Sequence, residues 1–233
     1  MISMSTLADV RADLTRLTDP AKVQVLQRFF KTGKGQYGEG DVFIGVTVPR
    51  SRQVAVKYAG IPLEDVNRLL YSKIHEERLV ALLILVLKSR ADLEGVARFY
   101  IDNISLVNNW DLVDLSAPRI LGAYLETRDR SILYRLAISD KLWERRIAII
   151  ATQHFIRKDD FADTLKISEM LLADGHDLMH KAVGWMLREV GKRDLAVEEA
   201  FLQRHWKNMP RTALRYAIER FPEEKRRAYM ARS

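Results

Sequence analysis

Asn109-Trp110-Asp111-Leu112-Val113-Asp114 sets an indole and a carboxylate four residues apart. On a helix Trp110 and Asp114 share a face, so an aromatic plane and a negative charge look into the same space. The competing structural explanation is a core tryptophan and a capping aspartate, with Asp111 assisting the helix start near Asn108 or Asn109. A second group, Lys181, Trp185, Arg188 and Lys192, follows spacings of four, three and four and forms one helical stripe. Val183, Met186, Leu187 and Val190 supply the opposite, core-facing side. A charged stripe alone is a solvated face, but a tryptophan within it suits a surface that meets bases or deoxyribose beside phosphates. Trp143-Glu144-Arg145-Arg146, with Gln153 and Arg157 on roughly the face of Arg146, is a third group, and Arg211 with Arg215 is a fourth basic pair. If each repeat gives one helix to a concave wall, these stripes add up to a basic groove tracking a phosphate backbone. Independent surface charges are the alternative.

Other patterns carry less. Gly33-Lys34-Gly35-Gln36-Tyr37-Gly38 matches the dinucleotide fingerprint in letters, but it follows a helical segment and leads into an extended one, the reverse of what that chemistry requires. His176 and His180 are four apart, yet no glutamate adjoins the first and no third ligand is evident, so no metal site is expected. His75, His154 and His205 have no partner pattern, and no serine sits in a nucleophile elbow.

The elements that must hold these groups are helical. Apolar residues recur at three and four spacing in segments near 6–17, 20–31, 50–59, 62–71, 74–89, 91–103, 109–125, 129–138, 141–157, 161–173, 178–191, 194–206 and 210–230. Pro20, Pro62 and Pro210 stand at helix starts, and Gly60, Gly175 and Gly191 are expected at exits in a left-handed conformation. Only 32–48, rich in glycine and then β-branched, resists the helical pattern and is expected to be an ordered loop. Five segments, Glu77–Lys88, Asn109–Tyr124, Glu144–Arg157, His180–Arg193 and Arg211–Phe221, share a polar start, a small residue and an apolar run. Their alanines, Ala81, Ala117, Ala148, Ala182 and Ala213, are 36, 31, 34 and 31 residues apart. Stacked helical hairpins have such a period, because one hairpin cannot bury its apolar face alone. The expected fold is therefore all-α: HEAT-like helical repeats stacked into a curved solenoid with a concave basic groove, in a single domain over 1–233.

Composition bounds the partners. The formal charge is +7 and the pI about 9.6, which favours a polyanion such as nucleic acid or an anionic membrane surface. Basic residues exceed acidic ones by 19 to 17 in 1–140 and by 19 to 14 in 141–233, so the bias leans C-terminal. The absence of cysteine excludes disulfides, thiol catalysis and iron–sulfur ligation, and fits a reducing compartment. The start of the chain has no secretory pattern, and the most apolar run, Leu79 to Leu87, is nine residues, about half a bilayer span. A cytoplasmic protein is expected.

At Trp110-Asp111-Leu112-Val113-Asp114, Trp143-Glu144-Arg145-Arg146-Ile147-Ala148 and Ala182-Val183-Gly184-Trp185-Met186-Leu187-Arg188-Glu189 the chain resembles the AlkD-type DNA alkylation repair family, alkylpurine DNA glycosylases built of HEAT-like repeats. The resemblance implies that Trp110, Trp185 and Asp114 surround a damaged nucleotide and that Arg146 and Arg188 lie along the DNA backbone. Lys181, Lys192, Arg157, Arg211 and Arg215 extend the expected DNA contacts. The family's aromatic on the second helix, typically tyrosine, corresponds to Phe29 in Arg28-Phe29-Phe30-Lys31, so a hydroxyl is missing there. The implied activity is hydrolysis of the N-glycosidic bond of cationic N3- or N7-alkylated purines in duplex DNA by a monofunctional enzyme needing neither metal nor cofactor. A monomer is expected, since a groove must admit DNA. A non-catalytic repeat scaffold for protein or nucleic acid is the rival, and RNA binding shares the same electrostatics.

Overall fold

The computed structural model describes residues 6–231, which form helices joined by short turns and one long irregular segment at 30–47. No strand forms among the described residues; Val42 and Ile74 meet in an isolated parallel bridge. The all-α expectation holds. The chain divides into two compact units, Met1–Ser116 and Ala117–Ser233.

The first unit contains α1 (Leu7–Arg16), α2 (Pro20–Phe29), α3 (Val48–Lys57), α4 (Leu63–Leu70), α5 (His75–Lys88), α6 (Leu93–Asp102) and α7 (Trp110–Ser116). Starts are fixed locally: Thr6 and Asp9 cap each other's backbone on α1, Asp19 accepts from Ala21 N–H ahead of α2, and Asp92 accepts from Gly95 N–H on α6. Helix α5 is buried on every side from His75 to Leu85 and packs against α3, α4 and α7, as expected where its run from Leu79 is apolar all round. In the irregular segment Gly45 has φ +86°, and a Cβ there would lie 2.1 Å from Asp19 O, so both conformation and space demand glycine.

The second unit opens with a π-turn at Pro118–Gly122, followed by α8 (Ser131–Ala137), α9 (Leu142–Ala151), α10 (Gln153–Ile156), α11 (Ala162–Met170), α12 (Asp177–Arg193), α13 (Leu195–His205), α14 (Arg211–Ala217) and α15 (Glu223–Met230). Helix α12 is central and packs on α9, α13 and α14. Three expected long helices are interrupted. Segment 109–125 leaves the α-helical pattern at Pro118, which has no N–H to give. Segment 141–157 breaks at Thr152, whose hydroxyl bonds Ile149 O at 2.6 Å. Segment 210–230 breaks at Phe221, extended ahead of Pro222.

The repeat has a physical register. All five alanines of the sequence period are at most 1 % exposed. A Cβ on Gly122 would lie 2.4 Å from Ala151 O and 2.7 Å from His154 Cβ; one on Gly184 would lie 2.3 Å from Ala213 O and 2.6 Å from Tyr216 Cβ. The offsets of 29 and 32 residues are the same in both places, so successive hairpins of this unit meet in the same way. Gly184→Ala is accordingly expected to push α12 from α14 and cost about 1–3 kcal/mol in urea unfolding. Gly175→Ala, with nothing within 4 Å of the new Cβ, serves as the neutral control.

The glycine exits differ from expectation. Gly60 and Gly175 have no left-handed φ, and Gly191 lies inside α12. Gly191 instead makes room for Glu198 of α13, whose carboxylate would collide with any Cβ there. Burial pushes the Glu198 carboxyl up to about 8, so it is held as a neutral acid at pH 7.

Candidate functional site

Trp110 opens α7, with its N–H on Asn109 Oδ1 at 2.8 Å, and Asp114 follows one turn later; both side chains are half-buried. The indole stacks on Phe30 with centroids 5.3 Å apart and planes 10° apart, and takes the edge of Phe29 at 5.8 Å and 78°. Phe29 is 61 % exposed. A large apolar ring left that open at the rim of an aromatic cluster is available to a ligand. The structure thus brings Phe29 onto Trp110 in the first unit, with Asp114 one turn along the same helix.

Beneath this cluster lies a charged network that sequence spacing did not disclose. His75 Nδ1 is 3.0 Å from Asp41 Oδ2 and its Nε2 is 2.8 Å from Asp111 Oδ2, while Arg78 reaches Asp41 at 2.6 Å and Asn109 donates to Asp41 at 3.0 Å. Burial works against a charged His75, but the bonds to Asp111 and Asp41 prevail and its pKa rises to about 9. Burial likewise opposes ionisation of Asp41, yet His75, Arg78 and Asn109 hold its pKa below the ordinary carboxylate value. Glu76 accepts from the amides of Ile44, Gly45 and Val46, and Glu77 binds Arg11 at 3.1 Å. Asp111 therefore bridges to α5 besides taking Leu112 N–H at 2.9 Å, a wider role than capping. Phe30, Phe43, His75 and Asp111 also border a mostly apolar cavity of about 430 Å³.

The second unit holds the other candidates. Trp185 is half-buried and donates to Glu189 at 3.1 Å. Lys192 also binds Glu189, at 2.6 Å; Lys181 binds Asp177 at 2.7 Å; Arg188 pairs with Glu219. The basic stripe is thus laced with carboxylates. Arg146 is only 5 % exposed and donates to Leu178 O at 2.7 Å, and Arg145 is held by Asp174 at 2.7 Å. Arg157, Arg211 and Arg215 are exposed, with Arg157 on Gln153 at 2.9 Å and Arg211 reaching Met230 O at 3.4 Å. His176 accepts Leu178 N–H as a cap and His180 bonds Asp174 O, so both have local structural work.

One sequence signal could have revealed the buried network. His75-Glu76-Glu77-Arg78 forms a polar first turn directly before the unbroken apolar run of α5, and all four residues are at most 6 % exposed. A helix buried on all sides must bury its own start, so charges there need partners from elsewhere.

The protein is all-helical and repeating, and its first unit sets Trp110 against a ring cluster with Asp114 one turn along α7. The chain belongs to the DNA alkylation repair enzyme family, whose profile matches residues 10–221. Among solved structures it is similar to a predicted DNA alkylation repair enzyme from Enterococcus faecalis, with a TM-score of 0.67 and 15 % identity over 88 % of this chain and 97 % of that one. It is also similar to AlkD2 from Streptococcus mutans, with a TM-score of 0.53 and 18 % identity over 86 % and 97 % of the two chains. At those identities the likeness concerns the fold. No curated protein matches the chain. No described helix is long and apolar enough to cross a membrane.

Proposed function

We propose that the protein is a monofunctional DNA glycosylase that hydrolyses the N-glycosidic bond of cationic N3- or N7-alkylated purines in duplex DNA. The observation that carries this reading is the pairing on α7 of a half-buried indole and a half-buried carboxylate one turn apart, in a chain of the alkylation repair family. Alkylation at N3 or N7 leaves the base positively charged. The C1′–N bond then breaks with its electron pair going to the base, which departs neutral, so no general acid is needed. Positive charge moves to the sugar, where Asp114 stabilises it and orients the water that adds to C1′ and gives up a proton. Trp110 offers its π-face to the cationic lesion or the sugar. Trp185 is assigned the second aromatic contact. Arg146 and Arg188 are assigned to the DNA backbone, with Lys181, Lys192, Arg157, Arg211 and Arg215 as further phosphate contacts; Arg146, buried on Leu178 O, reaches a phosphate by a side-chain shift. No lysine adjoins the motif, so the strand stays intact until alkali is added.

The test is chromatography of bases released from N-methylated duplex DNA. Methylated purine is expected well above spontaneous loss, with no direct strand scission. Binding of duplex without release above the spontaneous rate would favour a non-catalytic scaffold.

A further inference from the structure

We propose that His75 is a positioning residue for the site: clamped between Asp41 and Asp111 and stacked through Phe43 and Phe30, it sets the plane of Trp110 and the first turn of α7. The inference rests on the glycosylase reading for its kinetic consequence, but not for its structural one.

Two independent connections run from this ring to the site. The first is a continuous stack. His75 lies on Phe43 at 4.5 Å and 24°, Phe43 on Phe30 at 4.8 Å and 29°, and Phe30 on Trp110 at 5.3 Å and 10°. Each ring fixes the tilt of the next, because offset-stacked rings lose contact when either rotates. The second is polar. Asp111, the residue after Trp110, accepts from His75 at 2.8 Å, and Asn109, the residue before it, donates to Asp41 on the other side of the imidazole at 3.0 Å. Trp110 is therefore gripped on both chain neighbours and on one ring face by groups that converge on one histidine.

That grip requires both ring nitrogens to carry protons, since each faces a carboxylate. The other charged groups nearby are Arg78, whose Nη2 is 3.4 Å from Nδ1, Glu76, held by loop amides, Glu77, held by Arg11 of α1, and Lys22 of α2, which borders the same cavity as the ring. Arg78 opposes the charge on the ring, and the two aspartates outweigh it; the resulting pKa of about 9 puts loss of the clamp in an accessible pH range.

The decisive measurement is a Trp110-specific emission titration, each protein being read against its Trp110→Phe counterpart. Wild type should show a transition with a midpoint near pH 9, and His75→Phe, which keeps a ring in the stack, should show none. Single-turnover base release should fall through the same midpoint in wild type, whereas His75→Phe should be about 10-fold slower and flat in pH, with duplex affinity changed less than about 2-fold. A residue needed only for folding would lower the melting temperature and leave the rate of folded protein and the emission transition unchanged; that result overturns the proposal. Should wild type release no base, the glycosylase reading fails, and the emission titration still decides the clamp. Should His75→Phe not fold, Asp111→Asn, which keeps the shape and the bond to Leu112 N–H, must move the emission midpoint down by about one pH unit or more. An unmoved midpoint overturns the proposal.

Discussion

Asp114→Asn is expected to bind alkylated duplex within about 2-fold of wild type and to release base about 10²–10³-fold more slowly in single-turnover assays. The substitution keeps size and shape and removes only the charge. A unit charge about 4 Å from a forming oxocarbenium is worth up to about 4 kcal/mol at an effective dielectric of 20, or about three decades of rate. Asp114 is only half-buried, so water screens part of this and the lower end of the range is favoured. The ground state carries its positive charge on the base and not at C1′, which is why affinity should move far less than rate. Equal release by Asp114→Asn and wild type would remove Asp114 from the chemistry.

Asp41→Ala should cost about 3–5 kcal/mol in denaturant unfolding, the typical penalty for removing one partner of a buried ion cluster. Asp41 is 8 % exposed and meets an imidazolium, a guanidinium and an amide at 3.0, 2.6 and 3.0 Å. Its loss strands positive charge on His75 and Arg78 in the interior beneath the aromatic cluster. The pH dependence of wild type follows from the same groups. The folded state holds a proton on His75 up to about pH 9, while an unfolded histidine releases it near its ordinary value of 6.5. The native state thus binds more protons between those values, and stability falls as pH rises through that window. Asp41, with its pKa lowered, contributes in the opposite sense: its stabilisation is present above the ordinary carboxylate value and is lost as pH falls through the folded one. Asp41→Ala should shallow both limbs. A loss under about 1 kcal/mol with the alkaline limb intact would mean that the cluster is not the stabilising unit its geometry implies.

Sequence alone determined what depends on neighbours along the chain. Apolar period fixed the helices, the alanine period fixed the repeat, and the four-residue spacing of Trp110 and Asp114 put them on one face, because helical geometry relates residues three and four apart whatever surrounds them. Proline and threonine breaks inside expected helices were local too, but were outweighed by the longer apolar pattern. Tertiary structure decided which charges are spent inside the protein. Asp111 caps its own helix and also meets His75, 36 residues away; Arg146 lies beneath the surface on a carbonyl 32 residues away; and Arg188 is paired with Glu219 of a later turn. Gly191, taken for an exit, lies inside α12, where the missing side chain leaves the space that Glu198 fills. Periodicity reports which face of a helix is apolar. It cannot report which distant carboxylate or carbonyl meets a given cation, because that is fixed only when elements far apart in sequence pack together and their buried charges must be paired.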